Sequence, residues 1–218
     1  MREVVIVDMA RSAIGTMGGS LKNVKPIELV SQVAKAIVER NKAKIKPEMY
    51  DYCFLGQVKQ NTVCANIARN MVLNIGLPEE VPAATVTVAC GSGLLSMIEG
   101  YEFIKNGFAD VVLAGGVESM STGEFFLSGK VNQAFGTTNL TLYDSIIAGG
   151  PGGAPVERYG NIPMGITAEN LVDIHQISRE EQDEFGFRSQ QLAAKAIANG
   201  DFEAEIVPVE YEKADGSK

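Results

Sequence analysis

The clearest chemical potential in the sequence lies at Cys90, in the segment CGSG. The apolar, β-branched run from Ala83 to Val88 precedes this cysteine and predicts a strand buried on both faces. Gly91 and Gly93 then loosen the backbone where the chain turns. A free cysteine is most often a small buried hydrophobe. The strand before it and the glycines after it favour the other interpretation, that Cys90 is a nucleophile.

A helix is predicted directly after Cys90, because apolar residues recur at spacings of three and four and indicate one buried face. These residues are Leu94, Met97, Ile98, Tyr101 and Ile104. A second buried strand, Val111 to Ala114, follows and ends at a glycine pair. A strand–helix–strand unit of this length predicts two parallel strands joined by a right-handed crossover.

This arrangement places Cys90 at the carboxyl end of a strand and at the amino end of a helix. Ligands of parallel sheets gather at the carboxyl ends of the strands. The free amides and the dipole of the helix favour a thiolate over a thiol. The same amides could stabilise an oxyanion that develops on a bound carbonyl. We therefore expect chemistry on a carbonyl compound at this position.

Segments along nearly the whole chain resemble the amino-terminal half of the thiolases, the acetyl-CoA acetyltransferases and 3-ketoacyl-CoA thiolases. They are CGSG, DVVLAGGVESMS, RSAIGTMGGSLKNV, ANIAR, MGITAEN and ISREEQDEFGFRSQQ. The resemblance implies an α/β, thiolase-like layered fold with a mixed, mostly parallel sheet. It assigns residues 1–121 to the amino-terminal domain without its last strand. It assigns residues 122–218 to part of an inserted loop domain.

The resemblance also implies a function. In thiolases the cysteine of this motif attacks a thioester and carries the acyl group, so the chain resembles an acyltransferase of fatty acid metabolism. The reaction would be acetyl-CoA condensation or thiolytic cleavage of 3-ketoacyl-CoA, with coenzyme A thioesters as substrates and no other cofactor. Met164 matches a methionine that lines the acyl pocket in relatives. The acyl chain length of the substrate and the direction of the reaction stay open, because Pro163 stands where many biosynthetic members have histidine.

Parts of a thiolase site are missing from this sequence. The family's histidine in a GHP-type motif and second cysteine in a CxGGG-type motif do not occur, and the one histidine, His175, is interpreted as a surface or packing residue. We therefore expect the chain alone to be inactive. A truncation, a split enzyme with a separate carboxyl-terminal half and a non-catalytic remnant all remain open. The rival from another class is a non-catalytic binding or assembly subunit.

The composition limits which classes of partner and site can be expected. The net charge of −8 argues against a nucleic-acid surface. The sequence contains no apolar run of membrane-spanning length, and we expect no leader before the first strand. Three cysteines without a CxxC pair argue against a disulfide framework or zinc site and fit the cytoplasm. Cys53 is predicted to lie in the core and Cys64 to pack. The expected partners are acyl-CoA and either a second copy or a separate carboxyl-terminal half.

The remaining elements follow from periodicity and capping signals. We predict strands at Glu3–Asp8, Asp51–Val58 and Glu205–Tyr211, helices from Pro26, at Asn61–Ile75 and from the capping box Ser178–Glu181 to Gly200, and a long loop from Thr122 to Tyr159.

Overall fold

The computed structural model describes residues 2–61, 63–127, 141–149 and 154–211. The chain divides into two compact units. The first comprises Met1–Glu124 together with Glu205–Lys218, and the second comprises Phe125–Ala204. Residues 205–211 thus group with the first unit. The assignment of residues 122–218 to part of an inserted loop domain stays a prediction.

A parallel sheet organises the first unit. Its strands are β1 (Tyr52–Gly56), β2 (Ala83–Val86) and β3 (Val112–Gly116), in the order β2-β1-β3. β1 is parallel to both neighbours. The predicted parallel α/β unit around Cys90 is therefore confirmed. β2 ends sooner than expected, and its residues are half-buried rather than enclosed on both faces.

Two helices, α1 (Pro26–Asn41) and α2 (Ile67–Asn74), cover one face of the sheet and form the core. Pro26 suits the first turn of α1, where its missing N–H has no helical acceptor. α2 starts later than predicted, because the side chain of Asn66 accepts the backbone N–H of Arg69 at 3.1 Å and caps the helix there. Cys53 is fully buried in this core, as predicted.

The opposite face of the sheet carries α3 (Ser92–Lys105), and here the predicted orientation is wrong. The residues that α3 buries are Ser92, Ser96 and Gly100, at four-residue spacing. Most of the apolar stripe predicted to be buried faces outward, and Leu94 is 62% exposed. The helix approaches the sheet closely: a Cβ on Gly100 would lie 3.0 Å from Cγ1 of Val112. Only small residues fit at such a separation.

The predicted strand Glu3–Asp8 is also wrong. In the described part of the chain this segment belongs to no strand, and Ile6 is 81% exposed. The segment is held at its ends instead. Arg2 forms an ion pair with Asp110, and Asp8 pairs with Arg40 at 2.8 Å. A β-branched run does not make a strand without a neighbouring backbone to bond with.

The predicted last strand, Glu205–Tyr211, is reduced to one bridge in the described residues. Ile206 lies opposite Arg11 in this bridge. The backbone N–H of Arg11 donates to the carbonyl of Glu205 at 2.8 Å, and the N–H of Val207 returns a bond to the carbonyl of Arg11, also at 2.8 Å. The side chains of Arg11 and Glu205 add an ion pair of 2.8 Å.

The second unit has its own elements. Strands β4 (Phe125–Leu127) and β5 (Leu142–Asp144) pair antiparallel, and the helices are α4 (Ser145–Gly149), α5 (Val156–Tyr159), α6 (Met164–His175) and α7 (Arg179–Asn199). The predicted loop Thr122–Tyr159 thus contains short regular elements, while its glycine-rich positions 150–153 lie outside the described residues. The predicted capping box is confirmed, because Ser178 Oγ accepts the N–H of Glu181 at 3.2 Å. No helix in the described ranges is long and apolar enough to span a bilayer.

Candidate functional site

Glycines set the place where α3 begins. A Cβ on Gly56, the last residue of β1, would overlap the backbone of Ser92. A Cβ on Gly116, the last residue of β3, would lie 2.9 Å from the carbonyl oxygen of Gly56 and 3.3 Å from the Cα of Gly93. The start of α3 therefore rests directly on the carboxyl ends of two strands. Larger side chains at these positions would push the helix away.

The turn between β2 and α3 holds Cys90 in a constrained backbone. Ala89 adopts a φ of 48°, a left-handed conformation that costs a non-glycine residue free energy. The Ser92 hydroxyl stabilises this conformation, because its Oγ accepts the N–H of Val88 at 2.9 Å and donates to the carbonyl of Ala89 at 2.6 Å. The N–H of Gly91 also donates to the carbonyl of Val88 at 3.1 Å. Ser92 is the residue of the CGSG motif that builds the turn.

Cys90 differs from the other two cysteines in exposure. All three thiols are free; Cys53 is buried, Cys64 is half-buried and Cys90 is exposed. Burial raises the pKa of Cys53 to about 12 and also raises the pKa of Cys64. Both values disfavour the thiolate, which is the reactive form. Cys90 is therefore the thiol that a dissolved electrophile can reach, at the predicted place before the first turn of α3.

A second set of hydrogen bonds fixes the chain three residues before Cys90. The Thr87 hydroxyl donates to the carbonyl of Gln57 and accepts from Nε2 of Gln60 at 3.0 Å. The Thr87 hydroxyl thus connects this segment to the loop after β1. The contact could not be predicted, because residues 30 positions apart carry no local signal of it.

Gln57 is an unexpected buried residue at this edge of the sheet. Its side chain is 2% exposed, and neither its Oε1 nor its Nε2 has a hydrogen-bond partner among the described residues. Burying an unpaired amide costs free energy, so such a residue calls for an explanation. Its backbone is well bound, since its N–H donates to the carbonyl of Val86 at 3.1 Å.

The other residues considered for the site lie in the second unit. Met164, predicted to contact substrate, is the first residue of α6 and is 80% exposed. His175 is the last residue of α6 and is exposed, which fits the interpretation of it as a surface residue. Both residues belong to the second unit and Cys90 to the first, and the role of Met164 stays a prediction.

The arrangement around Cys90 is suited to nucleophilic chemistry on a carbonyl. An exposed thiol precedes a helix in which the N–H of Ser92 already donates to the carbonyl of Ala89 at 3.1 Å, so the donors left for an oxyanion are the later amides of the first turn. Those amides and the helix dipole favour negative charge. In the described ranges, no group of three or more His, Cys, Asp or Glu side chains that could bind a metal ion is present.

Comparison with known proteins agrees with this geometry. The family description "Thiolase, N-terminal domain" matches residues 4–218. The acetyl-CoA acetyltransferase of Syntrophomonas wolfei is 42% identical over 209 residues, which cover 95% of this chain and 51% of the relative. That of Cupriavidus necator is 41% identical over 209 residues, covering 96% of this chain and 51% of the relative.

Solved structures give the same result. The crystal structure of the Bacillus anthracis acetyl-CoA acetyltransferase has a TM-score of 0.84 at 38% identity. The match covers 94% of this chain and 50% of the solved chain. The crystal structure of human mitochondrial 3-ketoacyl-CoA thiolase in complex with CoA has a TM-score of 0.82 at 33% identity. This match covers 92% of this chain and 49% of the solved chain. The chain thus spans about half the length of the curated relatives it matches. The predicted thiolase-like α/β fold is confirmed, and the chain belongs to the thiolase family, whose amino-terminal domain it matches.

Proposed function

We propose that the chain is the amino-terminal half of a thiolase-type acyltransferase and that Cys90 is its nucleophile. The observation that carries this proposal is an exposed thiol in a strained turn, immediately before α3, at the carboxyl edge of a parallel sheet. The printed names of the relatives, acetyl-CoA acetyltransferase and 3-ketoacyl-CoA thiolase, support the same reaction class.

In the proposed first step, the Cys90 thiolate attacks the carbonyl carbon of an acyl-CoA thioester. A bond forms between Sγ and this carbon, and the carbon–sulfur bond to coenzyme A breaks. Coenzyme A leaves as a thiolate and takes up a proton, while the acyl group stays on Cys90 as a thioester. Amides at the start of α3 would stabilise the oxyanion formed on the way. This scheme uses coenzyme A thioesters as substrates and calls for no other cofactor.

In the proposed second step of condensation, a second acetyl-CoA loses a proton from the carbon next to its carbonyl. This carbon attacks the acyl group, a carbon–carbon bond forms, and the Cys90 thiolate is released. Thiolysis is the reverse. Both directions need an acid/base group besides Cys90. We propose that a carboxyl-terminal half supplies it, and that Met164 contacts the acyl group.

Exposed apolar surface supports the need for a partner. Leu94, Met97, Ile98 and Tyr101 form an outward stripe on α3. In the described part of the chain no strand pairs with the outer edge of β3, and a cavity of about 230 Å³ lies beside this edge and α1. Apolar surface and an open strand edge of this kind favour association. We propose that a carboxyl-terminal half or a second copy covers them. The free cysteines suit a reducing compartment such as the cytoplasm.

Incubation with acetyl-CoA tests the proposal. The chain alone is expected to be inactive in the complete condensation, but the first step removes no proton from carbon, so the chain should still gain one acetyl group, mapped to Cys90 by peptide mass spectrometry, and added coenzyme A should remove it again. The Cys90→Ala variant should gain none. Acetylation elsewhere, or none at all in the wild type, would overturn the proposal.

A non-catalytic binding subunit predicts a different result from the same samples. Acetyl-CoA would then protect Cys90 from iodoacetamide without transferring its acetyl group. The same exposed stripe on α3 that suits a missing half also suits assembly alone, so this second function has a specific observation behind it.

A further inference from the structure

Glu118 connects the loops that follow two neighbouring strands. It lies two residues after the end of β3, and its carboxylate accepts the backbone N–H of Val58 at 2.8 Å and of Lys59 at 3.4 Å, just past the end of β1. The N–H of Val117 donates to the carbonyl of Gly56 at 3.1 Å, so the β1–β3 ladder continues up to this point. The carboxylate therefore holds residues 57–60, here called the β1 loop, against the end of β3.

The β1 loop in turn holds the segment that leads to Cys90. Its Gln57 carbonyl accepts the Thr87 hydroxyl, and its Gln60 side chain donates to Thr87 Oγ1 at 3.0 Å. Thr87 has left β2 and precedes Cys90 by three residues. A continuous set of contacts thus runs from Glu118 through the β1 loop and Thr87 to the turn.

The turn needs support from both of its sides. A strained backbone such as that of Ala89 persists only where its surroundings hold it in place. The Ser92 hydroxyl supplies bonds on the side of α3, and Thr87 supplies them on the side of β2. Loosening the β1 loop removes one of these two supports.

We propose that Glu118 is a positioning residue for Cys90: by accepting the amides of the β1 loop, it fixes Thr87 and keeps the Cys90 thiol aligned with the start of α3. This inference rests on the proposed function of Cys90 as a nucleophile. We expect removal of the Glu118 carboxylate to slow the reaction of Cys90, which is the opposite of what the change in charge alone would do. Removing a negative charge from the neighbourhood of a thiolate would make the thiolate easier to form, whereas a loosened turn makes Cys90 less reactive.

The test is the rate of iodoacetamide alkylation of Cys90 near neutral pH, followed by peptide mass spectrometry. Glu118→Ala should slow Cys90 by roughly three- to thirtyfold, since small misplacements of a reacting group can cost as much as about a hundredfold. Glu118→Gln keeps an acceptor oxygen and should react at least as fast as wild type. Glu48→Ala, an exposed residue before β1 at the opposite end of the strand, is the matched control and should change nothing.

A Glu118→Ala variant that reacts as fast as wild type, or faster, overturns the inference. Alkylation of the buried Cys53 would show that this variant has unfolded. In that case two substitutions of Thr87 test the inference instead. Thr87→Val should slow Cys90 and Thr87→Ser should restore it; equal rates in both overturn the inference. The wild type separates the two proposals. If its Cys90 is no faster than Cys64, the proposed function fails before any variant is made.

Discussion

At the scale of single residues, side-chain hydrogen bonds hold the amino-terminal segment at Asp8 and the turn before α3 at Ser92. Asp8 is the clearest titratable case. Burial by itself would raise its pKa, but hydrogen bonds from Asn41 and Met9 and the nearby Arg40 more than offset this and hold the pKa below its ordinary value. Asp8 thereby links the exposed amino-terminal segment to the end of α1.

The pH dependence of this contact gives a prediction. Because the pKa of Asp8 is lowered in the folded chain, its stabilisation is fully present above the unfolded-state pKa of about 3.9 and disappears as the pH falls through the lower, folded value. Asp8→Asn should therefore lower the free energy of unfolding by about 1 kcal/mol near neutral pH. In urea titrations this difference from wild type should shrink below about pH 4.

Asp173→Asn on α6 is the control, since this exposed carboxylate lies in the second unit. A destabilisation by Asp8→Asn that stays constant down to strongly acidic pH would show that the charge of Asp8 is not what stabilises the fold.

At the scale of elements, glycine contacts decide where α3 lies. Gly56→Ala should place a methyl group inside the backbone of Ser92 and push the helix start from the sheet. We expect a loss of about 2–3 kcal/mol in the free energy of unfolding, measured by urea titration, together with slower alkylation of Cys90.

Gly165→Ala on α6 is the matched control. A Cβ there meets nothing within 4 Å, so alanine should stabilise the helix by about 0.5–1 kcal/mol. Equal effects of the two substitutions would contradict the role assigned to Gly56.

Which elements could be predicted from the sequence depended on whether their cause is local. Proline at the start of α1 and the box at Ser178 act within one helical turn, and both predictions are confirmed. The orientation of α3 depends on how close a helix can approach the sheet, which periodicity alone does not report. The apolar spacing indicated a buried face, but Ser96 and Gly100 are the residues that fit against β3.

In the candidate site, too, the features with a local cause could be predicted and those that depend on distant contacts could not. The position of Cys90 between strand and helix could be predicted, because the strand and the CGSG segment lie next to it in sequence. The support from Thr87 and Glu118 could not be predicted, since these bonds join residues that lie 30 and 60 positions apart in the sequence. The strand expected at Glu3–Asp8 failed for a related reason: the described chain offers it no neighbouring strand.

At the scale of the whole molecule, the chain exposes apolar surface on the outer face of α3. The stripe on α3 includes Leu94 and Ile98, and the described part leaves the outer edge of β3 unpaired. We expect the isolated chain to self-associate in size-exclusion chromatography with light scattering. The double substitution Leu94→Gln, Ile98→Gln should shift it toward monomer with little change in stability, because both side chains are about half exposed or more.

Ile14→Gln with Val63→Gln is the matched control, since these two apolar side chains are more exposed still but lie outside the stripe. Wild-type chain that elutes as a single soluble monomer would contradict the expectation of association.

Competition among the three cysteines for iodoacetamide near neutral pH tests the account most directly. Burial raises the pKa of Cys64 and brings that of Cys53 to about 12, so the account predicts rapid labelling of Cys90, slow labelling of Cys64 and protection of Cys53 in the folded chain. An acyl-CoA should slow the reaction of Cys90 alone. Equal slow labelling of all three, or Cys64 reacting first, would contradict a thiol prepared for acyl transfer at the start of α3.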